Sequence, residues 1–599
     1  MSSRSVVALL ALALAVGISS SSSGCSGAPT KAVEAPKPAV VVKPKAPLPA
    51  FPEGWPYQPG MGAVTGVHGM VVTDATLATK VGQEMLSSGG NAVDAAVAVA
   101  FALAVVHPAA GNIGGGGFLV ARIDGKASAL DFRETAPAKA TRDVYLDADG
   151  KPTKDSREGY RASGVPGSVA GLHAAWVKLG SKKKTWADLV SPAIKLAKDG
   201  FVVDENFHKV IDGTKDRFAK FPASAALYLP GGEPPVVGTT FKNPELATTL
   251  ERIADQGPKG FYEGETAEAI VKEEVAHDGL ITQADLAGYV AKWRTPLETT
   301  YRGAHITAMP PPSSGGATLA MICHILDGYD LSSMKWHSAE ELNLVLEAMK
   351  RAFASRNARL GDPDFVTNPL DELLSDAWAK AQRATITKGK ATPSSEIKSA
   401  ASSADGPHTT HFSVVDAQGN AVGLTTTVNW WFGNGVVIPG AGFVMNNEMD
   451  DFAAQPGTAN GFGLVQGEPN AIAPKKRMLS SMSPTIVTGA DGKVMLVTGA
   501  AGGPTIITGV FSILSNVVDH DFDVSAAVNA PRFHHQHLPD LVLFEKGGLP
   551  ADLQKSLTDM GYAFKERDHI ADAPTIGVSD KGWIGAPEVR RPGAFAAGW

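Results

Sequence analysis

The segment AVDAAVAVAFALAVV, residues 92–106, is apolar nearly all round. A helix with no polar face must be buried between layers, so this chain has to cover it on every side. Asn91 precedes the run and Asp94 falls three residues later, the spacing of a reciprocal capping box. His107-Pro108 closes it. Just upstream, Asp74 is placed to cap a helix through TLATKVGQEMLSS that stops at Gly89-Gly90. The cover is available: the chain has 599 residues, of which 44% are hydrophobic and 19% charged. A net charge of −7 argues against the basic face of a nucleic-acid binder.

The N-terminus reads as an export signal. Arg4 supplies positive charge, Val6 to Ile18 is a short apolar run, and small residues follow up to Cys25. The run is too short to span a bilayer comfortably. Gly24-Cys25 resembles the end of a lipoprotein signal, although Ser22 stands where an aliphatic residue is usual; lipidation of Cys25 and ordinary cleavage nearby both remain open. The expected location is therefore periplasmic, membrane-anchored through Cys25, or secreted. Residues 26–55 are rich in Pro, Ala, Lys and Val and read as an extended tether. No later segment reads as a membrane span. With Cys25 removed or lipidated, Cys323 has no partner and no disulfide is available.

Amphipathic helical patterns recur to about residue 385, and no internal repeat is present. From Lys388 to His408 the only branched aliphatic residue is Ile397, and the stretch reads as a flexible surface segment. It runs directly into a hairpin pattern: THFSVV, the turn DAQGN, then AVGLTTTV. Gln418 is the midpoint, with Thr409 nine positions before it and Thr427 nine after. In simple antiparallel register these threonines face each other with Cβ atoms about 4.5–5.5 Å apart. A bulge at Gly419 would break the pairing. Geometry alone leaves them as an ordinary cross-strand pair.

The segment HTTHFSVVDAQGNAVGLTTTVN resembles the processing site of the γ-glutamyltransferases, a family of N-terminal-nucleophile hydrolases. The likeness extends from about Gly66 to Trp599. It runs through GGNAVDAAVAVAFALAVVHPAAGNIGGGGF, DFRETAP, MPPPSSGG, LGDPDF, NNEMDDF, RMLSSMSPT, GAAGGP and APRFHHQ, in the family's order. The resemblance implies self-cleavage between His408 and Thr409. The freed Thr409 becomes the nucleophile, with its own α-amine as base, an amine whose ordinary pKa is about 7.7–8.0.

The same resemblance implies the remaining roles. Thr427 orients the Thr409 hydroxyl. Gly502 and Gly503 supply backbone N–H groups to an oxyanion hole. Arg133, Ser480 and Ser481 take the α-carboxylate of a γ-glutamyl group, the planar fork of the arginine suiting a carboxylate. Asp451 takes the ammonium, assisted by Asn429 and Glu448. Phe462, in the loop QPGTANGFGLVQG (455–467), holds the place of a lid aromatic often occupied by Tyr, and the bulky Trp430-Trp431-Phe432 follows Asn429.

The implied fold is α+β, a four-layer αββα sandwich. It is expected to comprise a large subunit, 56–408, and a small catalytic subunit, 409–599, that stay together as a heterodimer. The implied substrates are glutathione and other γ-glutamyl compounds, with water or amino-acid and dipeptide acceptors, and no cofactor. GNIGGGG (111–117) lacks Walker spacing and reads as tight packing near Arg133. His534-His535-Gln536-His537 has a poor pattern for a metal, and no metal is expected. Two rivals stand: a cephalosporin or glutaryl acylase of the same fold, and an unprocessed exported protein that only binds γ-glutamyl peptides.

Overall fold

The computed structural model describes residues 48–397 and 409–599. The signal reading, Cys25 and His408 lie outside the described residues.

The apolar helix spans Ala92–Val106, and Asn91 and Asp94 form the reciprocal capping box its sequence predicts. It lies across the strands Thr410–Val415 and Ala421–Thr427. Those strands alternate in the way two-sided burial requires. Phe412, Val414, Val422 and Leu424 pack with the helix, while His411, Ser413 and Thr425 form a hydrogen-bonded layer on the opposite face.

The hairpin sits in the middle of a seven-stranded antiparallel sheet. Its order is Phe595–Gly598, Met70–Thr73, Thr410–Val415, Ala421–Thr427, Gly116–Ile123, Lys126–Phe132 and Lys292–Arg294. A second antiparallel sheet of seven strands runs in the order Val64–Gly66, Gly582–Ala586, Thr575–Ser579, Val494–Thr498, Thr485–Thr488, Ala304–Ala308 and Leu297–Tyr301. The two sheets meet through the hairpin and the strands Thr485–Thr488, Val494–Thr498 and Thr575–Ser579. Helices Thr76–Ser87, Ala92–Val106 and Ser168–Leu179 cover the first sheet, with Trp186–Asp199 packed on Ala92–Val106; Gly315–Leu326 and Val524–Asn529 lie over the second, with Thr505–Val518 packed against both of them. This is the expected αββα sandwich.

Both sheets mix strands from either side of residue 408. The hairpin is flanked by Met70–Thr73 and Gly116–Ile123, and it shares hydrogen bonds with both. A cut before Thr409 therefore leaves the two pieces joined through shared sheets and shared cores.

Three local expectations are corrected. Asp74 does not cap the helix Thr76–Ser87: Ala75 holds the N-cap position without a side-chain cap, and the Asp74 carboxylate instead accepts from Thr410 Oγ1 at 2.8 Å. The expected tether 26–55 gives way to packed chain before Trp55. Phe51 packs at a tilt against Trp336 and Phe522, and the buried Trp55 donates to the Asn529 carbonyl; aromatic area outweighs the proline-rich composition. The stretch from Lys388 is likewise packed as far as Ile397. Ala391 N donates to the Met560 carbonyl, Thr392 N to Glu347, and Ser394 Oγ to the His537 carbonyl. Only 398–408 of that stretch remains undescribed. Among the described residues no helix is long and apolar enough to cross a membrane.

Candidate active site

The hairpin register pairs Thr410 with Thr426, which sets Thr409 against Thr427. Gly419 takes a positive φ in the turn, yet no bulge shifts the register. Thr409 Oγ1 lies 3.5 Å from Thr427 Oγ1. Thr427 Oγ1 also accepts from the Asn429 amide at 2.7 Å, and its carbonyl accepts from Asn112 at 2.9 Å. The glycine run makes this approach possible. A Cβ on Gly115 would stand 2.1 Å from the Thr427 carbonyl oxygen. The run thus packs the strand bearing Thr427 against the start of Gly116–Ile123, beside the end of Lys126–Phe132 that leads to Arg133, the tight packing expected there.

One small pocket collects the sequence-predicted residues. Its lining includes Arg133, Thr409, Thr427, Asn429, Glu448, Asp451, Phe462, Ser480, Ser481 and Gly503. Leu464, Leu479, Met482, Pro504 and Ile506 complete it. Gly502 adjoins through Gly503. These groups come from segments hundreds of residues apart, brought together where the first sheet's hairpin opens toward the second sheet.

Arg133 follows the strand Lys126–Phe132 and is buried. Its guanidinium pairs with Glu448 at 2.6 Å and with Asp451, and Glu134 stands at 3.6 Å. Three carboxylates around one cation in a dry pocket cannot all ionise without cost. Burial pushes Glu134 up to about 8 and Glu448 well above the usual carboxylate range, while the Arg133 charge pulls both the other way. Asp451 is also raised by burial. The two acids expected to hold an ammonium thus occupy the arginine expected to hold a carboxylate.

Ser480 and Ser481 sit on a segment tied to Pro312, Ser313 and Ser314. Ser480 Oγ accepts from the Met482 amide at 3.1 Å, and Ser481 Oγ accepts from Arg356 at 3.3 Å. Among the described residues neither hydroxyl donates to a protein acceptor, so both hydrogens remain available to the pocket.

Gly502 and Gly503 have φ of 138° and 57°, backbone favoured by glycine. They precede the helix Thr505–Val518. Their amides donate to no protein acceptor among the described residues, and the positive end of the helix dipole adds to them. Phe462 covers Gly503: a Cβ there would stand 2.9 Å from its ring. The loop bearing Phe462 is held at its tip, where Gly461 N donates to Asp450 Oδ2 at 2.8 Å.

The histidine cluster is used for packing. His534 bonds Thr508 and Gln536, His535 approaches Asp540, and His537 holds the carbonyls of Ser394 and Ile397. Among the described residues no group of three or more His, Cys, Asp or Glu is arranged to hold a metal. Sequence reading did not find Arg356, Asn112, Gln466 or the Asp74–Thr410 pair. Arg356 had a signal: it falls on the buried repeat Leu342, Val345, Met349, Ala352 of its helix, a charge where the period calls for a hydrophobe.

Two antiparallel sheets between helical layers, with a threonine heading a central strand, define an N-terminal-nucleophile hydrolase. The profile of the Gamma-glutamyltranspeptidase family matches residues 78–598. A glutathione hydrolase proenzyme of Pseudomonas sp. (strain A14) is 46% identical over 545 residues, covering 89% of this chain and 94% of that protein. The glutathione hydrolase proenzyme of Escherichia coli (strain K12) is 45% identical over 544 residues, covering 90% and 93%. Among solved structures, a cephalosporin acylase from Bacillus halodurans superposes with a TM-score of 0.80 at 26% identity, covering 92% of this chain and 99% of that one. This chain belongs to the γ-glutamyltranspeptidase family.

Proposed function

We propose that this chain is a proenzyme that cuts itself before Thr409 and then uses Thr409 to take γ-glutamyl groups from glutathione and related compounds. Supporting the reading above all is the single pocket that gathers Thr409, the Arg133–Asp451 cluster and Gly503.

In processing, Thr409 Oγ attacks the His408 carbonyl carbon, and the acyl group passes from the Thr409 nitrogen to its oxygen. Water then hydrolyses that ester, leaving a carboxylate on His408 and a free α-amine on Thr409. The large subunit is then 56–408 and the small one 409–599.

In turnover, the α-amine accepts the Thr409 hydroxyl proton as Oγ attacks the γ-amide carbonyl. Thr427 orients the oxygen, and the amides of Gly502 and Gly503 hold the oxyanion at the helix N-terminus. The leaving amine, cysteinylglycine from glutathione, departs with a proton. Water or an amino-acid amine then attacks the acyl ester. Water completes hydrolysis, and an amine completes transfer.

The α-carboxylate of the substrate takes Arg133, Ser480 and Ser481, while its ammonium takes Asp451 with Asn429 and Glu448. Binding so exchanges the protein's internal ion pair for two pairs with the zwitterion, which repays the cost of burying the cluster. Phe462 closes the pocket. The signal-like N-terminus supports export from the cytoplasm, with Cys25 as the site of any lipid anchor.

A denaturing gel tests the processing step: the wild type should give two bands and Thr409→Ala one. A single band from the wild type would sink it. Against the acylase reading, γ-glutamyl anilide should be turned over in preference to glutaryl anilide, since Asp451 has nothing to bind in the latter; the opposite preference overturns the substrate assignment.

A further inference from the structure

Arg356 is fully buried on the helix Ala339–Arg359. Its hydrogen bonds among the described residues all go to neutral groups. Nε donates to Ser314 Oγ at 2.9 Å, Nη1 to Asn357 and Gln466 at 2.9 and 3.0 Å, and Nη2 to Ser481 Oγ at 3.3 Å. No carboxylate stands at ion-pairing distance: the Asp451 charge acts on Arg356 from farther off, but burial outweighs it and pulls the guanidinium below its usual range. A buried guanidinium without a contact ion pair is costly to keep, and a chain does not hold one without return. The buried Arg351, one turn away, shows the ordinary solution: it pairs with Glu347 at 2.5 Å.

The surroundings indicate where a closer negative charge would come from. Arg356 stands directly behind Ser481. By filling an acceptor site on that oxygen, it leaves the hydroxyl hydrogen to donate into the pocket. Ser314, its other hydroxyl partner, donates to the Ser480 carbonyl at 2.6 Å and so braces the adjacent serine. On the opposite side Gln466 relays to the acidic half of the site: Gln466 Nε2 donates to the Asp451 carbonyl at 2.9 Å, and Asn470 joins both. One guanidinium is thereby fixed to both halves of a pocket that has an anion-binding wall and an acidic wall. Meanwhile Arg133, the cation in the pocket itself, is already matched by Glu448 and Asp451.

We propose that Arg356 is a positioning residue for the substrate's α-carboxylate, acting through Ser481 as the second cation of that subsite, and that its counter-charge arrives with the substrate. This rests on the γ-glutamyl reading above. Arg356 does not line the pocket, so its effect passes through the Ser481 hydroxyl and the field of its charge.

The test compares two ligands in the wild type and in Arg356→Met and Arg356→Lys. γ-Glutamyl anilide carries the α-carboxylate, and 4-aminobutanoyl anilide lacks it while keeping the amine and scissile amide. Each is measured as a substrate, or as a competitive inhibitor where its turnover is slow. Arg356→Met should raise KM for γ-glutamyl anilide about tenfold or more, with kcat changed far less, and leave the affinity for the second ligand within about twofold. A Ser481→Ala background should absorb most of that rise, because the two side chains act as one unit.

Equal losses for both ligands, or fully additive effects with Ser481→Ala, overturn the proposal. Should Arg356→Met fail to give two bands and a cooperative melt, Arg356→Lys decides. It keeps the charge but loses the fork, and a selective KM rise supports the proposal while an unselective one overturns it. Failure of the γ-glutamyl reading is visible separately, as absent turnover of γ-glutamyl anilide by the wild type.

Discussion

Thr409 and Thr427 face each other across the open end of the hairpin, oxygen to oxygen at 3.5 Å, and Thr427 alone holds the Asn429 amide as well. The strand pairing that builds the fold is therefore also what aims the nucleophile. A hydroxyl in this place accepts from a backbone amide, partners the attacking oxygen and hydrogen-bonds with Glu448.

Thr427→Val keeps the shape and β-branching but removes all the hydroxyl contacts. The turnover of γ-glutamyl anilide should fall by about a hundredfold, while stability drops by only about 1–2 kcal/mol. Steady-state kinetics beside thermal melts separate the two. A valine variant with wild-type kcat would show that the pair is structural.

On the proposed function, Asp451 is the group that separates a γ-glutamyl substrate from a glutaryl one. Asp451→Asn should lower kcat/KM for γ-glutamyl anilide relative to glutaryl anilide by about tenfold or more, since an ammonium would lose its charged partner. The ratio matters more than either rate, because the substitution also loosens Arg133. An unchanged ratio would remove Asp451 from substrate selection.

Much of the architecture was legible beforehand because its signals are local. The capping box at Asn91 and Asp94, the all-apolar helix and the hairpin register are each set within a few residues. The candidate site was read through the resemblance, and one pocket gathers most of the residues it named. What escaped was non-local. Asp74 reads as a cap in sequence, but Thr410, far along the chain, claims its carboxylate. Phe51 and Trp55 sit in a proline-rich stretch whose composition hides two aromatic anchors. Arg356 works through Ser481, which only the folded chain brings near. Arg133, expected to take a substrate carboxylate, is paired in this structure with the protein's own Glu448 and Asp451, an arrangement its local sequence does not signal.

The loop over the pocket depends on Asp450. Its carboxylate accepts from Ser156 Oγ at 2.8 Å, Arg157 Nε at 3.1 Å and the Gly461 amide at 2.8 Å. Phe462 lies one residue beyond, over Gly503. Asp450→Ala strands three donors and should free the loop. Proteolytic nicking between 455 and 467 should rise, and hydrolysis should gain on transfer as water reaches the acyl ester. Mass spectrometry of the nicked protein and the product ratio with a dipeptide acceptor measure these. Unchanged nicking would show that the loop is held elsewhere.

Glu274 gives a pH signature away from the site. It is buried on the helix Gly264–Ala276, where Oε2 accepts from the Ile281 amide at 3.1 Å and Oε1 has no hydrogen-bond partner among the described residues. Burial, the largest influence, pushes its pKa from 4.5 up to about 8, against the pull of nearby amides. A carboxyl whose pKa is raised on folding binds its proton more tightly when folded. Its contribution is thus fully present below about pH 4.5, falls as the pH rises, and is lost through about pH 8. Glu274→Gln keeps an oxygen for the Ile281 amide and cannot ionise. Relative to the wild type it should therefore gain stability as the pH climbs from 5 to 9, by on the order of 3 kcal/mol at the top. Denaturant melts of both proteins across that range would show the gap opening with pH, and a constant gap would mean that Glu274 stays ionised in the fold.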